Sequence, residues 1–145
     1  MKQDSIEQDI KYIQDETLRL STKQPFYDGQ LKVNAFLANY SVFVTTQSGY
    51  PISGVFHFKN QSKIIPFCRI VPVFYVNGVM QDSSTMNMIY SYRLKVLYTQ
   101  YNQVGYEYQY YPNVPNGTNL EIKPFIITND LDTGYSVNGS WSVLK

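Results

Sequence analysis

The stretch Tyr135-Ser136-Val137-Asn138-Gly139-Ser140-Trp141-Ser142-Val143-Leu144 sets apolar Val137, Trp141 and Val143 against polar Asn138, Ser140 and Ser142. Successive side chains of a strand point to opposite faces, so this spacing gives one dry face and one wet face. Such a segment belongs to an antiparallel sheet packed on a core on one side and open to water on the other. A second run repeats the pattern, with Tyr92, Leu94, Val96 and Tyr98 opposing Arg93, Lys95 and Thr99.

Outward from these two segments, runs rich in β-branched and aromatic residues recur between turn signals. The pattern predicts strands over Leu31 to Leu37, Tyr40 to Thr46, Ser53 to Lys59, Ile64 to Val71, Val73 to Val76, Met86 to Gln100, Val104 to Tyr111, Asn119 to Thr128 and Tyr135 to Leu144. Asn77-Gly78 suits a tight hairpin, and Pro112 to Asn119, with Asn116-Gly117, suits a longer turn. Strands with no long helix between them leave no room for βαβ crossovers. The predicted fold is therefore mainly β, an antiparallel β-sandwich or jelly-roll-like head.

The chain before Pro25 reads differently. Ile6, Ile10, Ile13, Thr17 and Leu20 advance by alternating steps of four and three residues, the repeat that keeps one seam of a helix against a partner helix. In that register Ile10 and Thr17 take a positions, and Ile6, Ile13 and Leu20 take d. Isoleucine at d packs poorly in a dimer and favours three or four strands, of which the homotrimer is the expectation. In a parallel arrangement Lys2 faces Glu7 and no pair of like charges meets, which favours parallel chains. Ser5 with Gln8 forms a capping box, and Glu7 with Lys11 and Asp15 with Arg19 are helix-supporting pairs. The alternative is an amphipathic helix docked on its own head, with Tyr12 and Leu18 widening the apolar face. The organisation expected is a trimerising helix over residues 1–22, a linker over 23–30 and a β head over 31–145.

Composition narrows the function classes. At 145 residues the chain fits one domain with an appendage, and a net charge of +1 with a pI near 7.7 argues against a nucleic-acid partner or an anionic membrane surface. Nine of the charged residues (Lys2, Asp4, Glu7, Asp9, Lys11, Asp15, Glu16, Arg19 and Lys23) precede Gln24, so the head is charge-poor and aromatic-rich. No segment is apolar enough to span a membrane, and no apolar leader marks the chain for secretion. The sequons at Asn39, Asn60, Asn116 and Asn138 then read as turn residues. Cys68, the single cysteine, cannot form an intramolecular disulfide and falls in a run that reads as buried strand.

Chemistry has few places to reside. His57 lies opposite Phe56 and Phe58 and reads as a solvent-facing strand residue rather than a general base. Asp130 and Asp132 read as a polar turn, since nothing completes a calcium cage around them. Glu107 and Glu121 are candidates for a glycosidase carboxylate pair, which depends wholly on the fold. No phosphate-binding loop or nucleophile elbow is present, so no catalytic residue, metal or cofactor is expected. Tyrosine is the anomaly. Eight of the 14 fall between positions 90 and 111: Tyr90, Tyr92, Tyr98, Tyr101, Tyr106, Tyr108, Tyr110 and Tyr111. They either fill a core and an intersubunit seam, or present a ligand surface, for carbohydrate, built from Tyr101, Tyr110, Tyr111 and the turn after Pro112.

A short trimerising helix from Ile6 to Leu20, a Pro/Gly joint and a Tyr- and Asn-rich strand body from Leu31 to Leu144 together resemble the adhesion and decoration proteins of bacteriophage virions. These include tail-fibre and baseplate receptor-binding heads and capsid head fibres. The resemblance is architectural and spans the chain without a diagnostic motif. It implies a non-enzymatic structural protein located in the virion, joined through its helix to other virion proteins, with a head that binds a host surface glycan or stabilises the shell. The stalk is short, so a long shaft would come from another protein. The alternatives are a stand-alone carbohydrate-binding β-sandwich or glycan-cleaving enzyme, and a capsid jelly-roll subunit.

Overall fold

The computed structural model describes the backbone of residues 26–28 and 31–33 and the full residues 34–60, 68–94, 103–128 and 134–145. The predicted helix with Ile6, Ile10, Ile13, Thr17 and Leu20 lies outside the described residues, as do Tyr101, Asp130 and Asp132. The described residues form ten strands and no helix: β1 (Phe26–Asp28), β2 (Leu31–Leu37), β3 (Val42–Thr45), β4 (Ile52–Asn60), β5 (Cys68–Val76), β6 (Val79–Met80), β7 (Met86–Arg93), β8 (Gln103–Pro112), β9 (Asn119–Thr128) and β10 (Tyr135–Val143). All pairings are antiparallel, in a six-stranded sheet (β1-β2-β9-β5-β6, with β3 also on β9) and a four-stranded sheet (β10-β4-β8-β7). The described residues are all-β and sandwich-like in architecture. Phe26 to Asp28, expected as linker, instead pairs with β2, and Asp28-Gly29 is as much a hairpin sequence as a joint.

Two prolines show how local chemistry shapes the larger sheet. Pro72 was expected to separate two strands, yet β5 runs unbroken through it and sets it opposite Pro124 of β9. The Pro124 carbonyl accepts from the Ala38 amide, so Pro124 turns its polar side toward the gap between β2 and β3. The Pro72 nitrogen then faces away from β9, toward the edge of β5, where no ladder bond is lost. That edge is closed from the other sheet. Tyr106 donates to the Cys68 carbonyl at 3.1 Å and Tyr108 to the Ile70 carbonyl, while the Gln81 amide meets the Phe74 carbonyl. Buried carbonyls at a strand edge cost about 1–3 kcal/mol each if left unpaired, so tyrosine hydroxyls here complete the sheet. The opposite sheet has the same device. Tyr40 donates to the Gly139 carbonyl and accepts from the Gly139 amide on the outer edge of β10.

The core between the sheets gathers Ile52, Phe56, Phe58, Phe74, Tyr108, Leu120, Ile122, Ile126 and Trp141. Gly54 makes its centre possible. It lies between Tyr108 and Trp141 in register, and the indole folds across it to stack on Tyr108 at 5.6 Å with the rings 11° apart. The alternation expected for Val137, Trp141 and Val143 holds, each facing the same side as its core partners Phe58, Gly54 and Ile52. The one-dry-face expectation fails for the C-terminal half of β9. Phe125 and Ile127 are buried on the face away from that core, in a second cluster with Val73, bordered by Ala35, Leu37, Val71, Tyr75 and Met80.

Candidate functional site

The outer face of the four-stranded sheet is built from the residues that alternate with the core. Reading across β10, β4, β8 and β7, one row carries Ser142, Ser53, Gln109 and Tyr90, and the next carries Ser140, Val55, Glu107 and Tyr92. A parallel row at the end of the strands holds Tyr111 opposite Asn87. Four residues separate Tyr111 from Glu107 along β8, a span of about 13 Å at the strand rise.

Tyr90 and Tyr92 reach this face because β7 is irregular. Met86 and Met88 pair with Pro112 and Tyr110 on the core side, but the register slips at Ile89, and Tyr90 then faces Gln109. One extra residue reverses the side to which everything after it points. Tyr92 was expected on the dry face, and this bulge is why it is 49% exposed instead. The rings of Tyr90 and Tyr92 stack at 5.4 Å, 20° from parallel. Both hydroxyls donate to Oε2 of Glu107, at 2.7 Å and 2.9 Å. Losing either proton would set a phenolate against the carboxylate. The hydrogen bond to Glu107 therefore pushes Tyr90 up to about 12 and raises Tyr92 as well.

Beside this cluster is an open depression of about 260 Å³, lined by Ser53, Gly54, Val55, Glu107, Ser140, Trp141 and Ser142. Small side chains on β4 and β10 keep the floor low, while Glu107 forms one wall. The result is a shallow, hydroxyl-lined surface with one oriented carboxylate and stacked aromatic rings at its margin. It exposes hydroxyls, a carboxylate acceptor and aromatic ring faces side by side.

The residues singled out from sequence disperse. Tyr110 is a correction: it is 4% exposed, packs edge-on against Phe74 at 4.8 Å and belongs to the core, whereas neighbouring Tyr111 is 40% exposed on the other face. Adjacent strand residues cannot share a surface, so the predicted trio does not form as such. Glu107 and Glu121 lie in different sheets. Glu121 instead accepts from Ser41 at 2.7 Å and sits 3.8 Å from the Lys123 ammonium. His57 is on the outer face with its ring against Gly105. Cys68 is buried as expected, and burial pushes its thiol up to about 12. Among the described residues no cluster of His, Cys, Asp and Glu suits a metal ion, and no helix is long and apolar enough to cross a membrane. Alternation along the sequence sets Glu107 on one strand face with Gln109 and Tyr111, but nothing in it marks the union of Glu107 with Tyr90 and Tyr92. The serines of β10 were already legible as a wet face. Comparison of the chain with protein-family models, curated proteins and solved structures gave no match.

Proposed function

We propose that this chain is a non-enzymatic head protein of a virion appendage, of the bacteriophage fibre, baseplate or head-fibre kind, which binds cell-surface carbohydrate through the outer face of its four-stranded sheet. The observation that carries the binding reading is the stacked Tyr90 and Tyr92 held on Glu107 beside the serine-lined depression. Sugars present hydroxyl edges and apolar ring faces together, and such a surface offers acceptors and aromatic faces for both. The virion setting rests on the helix, joint and head layout of the sequence. In this reading the Ile6 to Leu20 seam forms a parallel trimeric coiled coil, and a jelly-roll-like head projects from it. A glycan array probed with the full chain and with Tyr92→Ala is the test. We expect at least one oligosaccharide to be bound, with retention falling about tenfold or more in the variant, as for a central aromatic contact. Absence of binding to every glycan, or equal binding by Tyr92→Ala, overturns the reading.

A further inference from the structure

The binding face carries an oriented carboxylate, and its sign restricts what can approach. Both tyrosine hydroxyls go to Oε2 of Glu107, and among the described residues no hydrogen bond falls on Oε1. A carboxylate only accepts, so a ligand meeting it must bring a donor: a hydroxyl, an amide N–H or an ammonium. The tyrosine pair fixes the carboxylate before any ligand arrives, so its ordering is not charged against binding. Its own row carries Ser140 and Val55, the row on one side carries Ser142, Ser53 and Gln109, and the row on the other carries Asn138, His57 and Gly105, with Lys59 one row further. A ligand carboxylate or sulfate seated in the serine-lined depression would therefore lie against Glu107 with no cation in the first two of those rows to offset it, since the basic side chains of this face, His57 and Lys59, stand on the far side of Glu107.

Resting on the carbohydrate reading above, we infer that this face selects neutral and amino sugars and rejects acidic ones, with Glu107 as the specificity-determining residue. Glu107 accepts from hydroxyl, acetamido or ammonium groups of the ligand, and the Tyr90 and Tyr92 hydroxyls keep it aimed. Replacement by glutamine removes the charge and keeps an acceptor oxygen for both tyrosines.

The test uses the full chain and three immobilised probes: neutral hexose oligomers, deacetylated amino-sugar oligomers and hexuronic-acid oligomers. The expected result is retention on the first two and none on the third. Glu107→Gln should gain binding to the hexuronic-acid oligomers and lose about tenfold on the amino-sugar oligomers, as expected for one lost charge contact. The double variant Tyr90→Phe with Tyr92→Phe should weaken every retained ligand without changing their order. Equal retention of the hexuronic-acid oligomers by the unaltered chain overturns the selectivity while leaving carbohydrate binding intact, and so does an unchanged ranking in a folded Glu107→Gln. No retention on any probe overturns the carbohydrate reading and the selectivity with it.

Discussion

Gly54 holds the centre of the core by having no side chain. A Cβ there would lie 2.0 Å from the Trp141 ring, so any larger residue must drive the indole off Tyr108. Gly54→Ala should destabilise the fold by about 2–3 kcal/mol, read as a lower urea midpoint with the slope unchanged. Near-UV circular dichroism should lose the signal of the Trp141 and Tyr108 stack at the same time. Cys68 makes a second prediction at this scale. Its thiol goes from 9.0 to about 12 through burial, so the folded chain holds the proton after the unfolded chain has released it. A raised folded value contributes stability that is complete below pH 9.0 and is lost as pH rises from there toward about 12. Urea midpoints measured across that range should fall more steeply for the unaltered chain than for Cys68→Ala. Maleimide should label Cys68 at pH 8 only once the chain is unfolded.

At the scale of the strand, the tyrosines divide into two populations by which side of β7 and β8 they take. Tyr106 and Tyr108 close the open edge of β5, and Tyr40 does the same for β10, each by supplying a hydroxyl where no further strand lies among the described residues. Tyr40→Phe removes the one hydroxyl that serves both the amide and the carbonyl of Gly139 on that edge. The Gly139 amide should then exchange with solvent about tenfold faster, the equivalent of about 1.4 kcal/mol, while amides of β4 in the sheet interior change little. Hydrogen exchange followed residue by residue checks this, and unchanged exchange at Gly139 would show that water already replaces the hydroxyl. Tyr90 and Tyr92 form the other population, turned outward by the slip at Ile89. That slip explains why the site was not legible: period-two reading carries Tyr92 to the core side, and no residue type at Ile89 announces an extra position. The strands themselves were legible, β9 to the residue and most others within a few positions, because their apolar and aromatic runs stop at Pro, Gly and Asn turns.

For the whole molecule, the arrangement proposed is a trimer with three heads at one end of a short helical bundle. Light scattering after size exclusion should give three chains per particle for the unaltered protein. Ile10→Asn combined with Ile13→Asn should give one, with the β head still folded, since the seam positions lie before the first strand. A single chain in both cases would instead favour the helix lying on its own head. The sequence by itself determined the mainly β class, the strand segments, the buried thiol and the wet face of β10, because these follow from alternation and turn chemistry over neighbouring residues. The heptad seam is an expectation of the sequence that lies outside the described residues. Only the tertiary structure decided that Pro72 sits inside a strand, that Tyr110 is core while Tyr90 and Tyr92 meet Glu107, and that Phe125 and Ile127 face away from the main core. Those outcomes depend on strand order and register, and one unpaired residue or one neighbouring edge is enough to change the face on which a side chain ends.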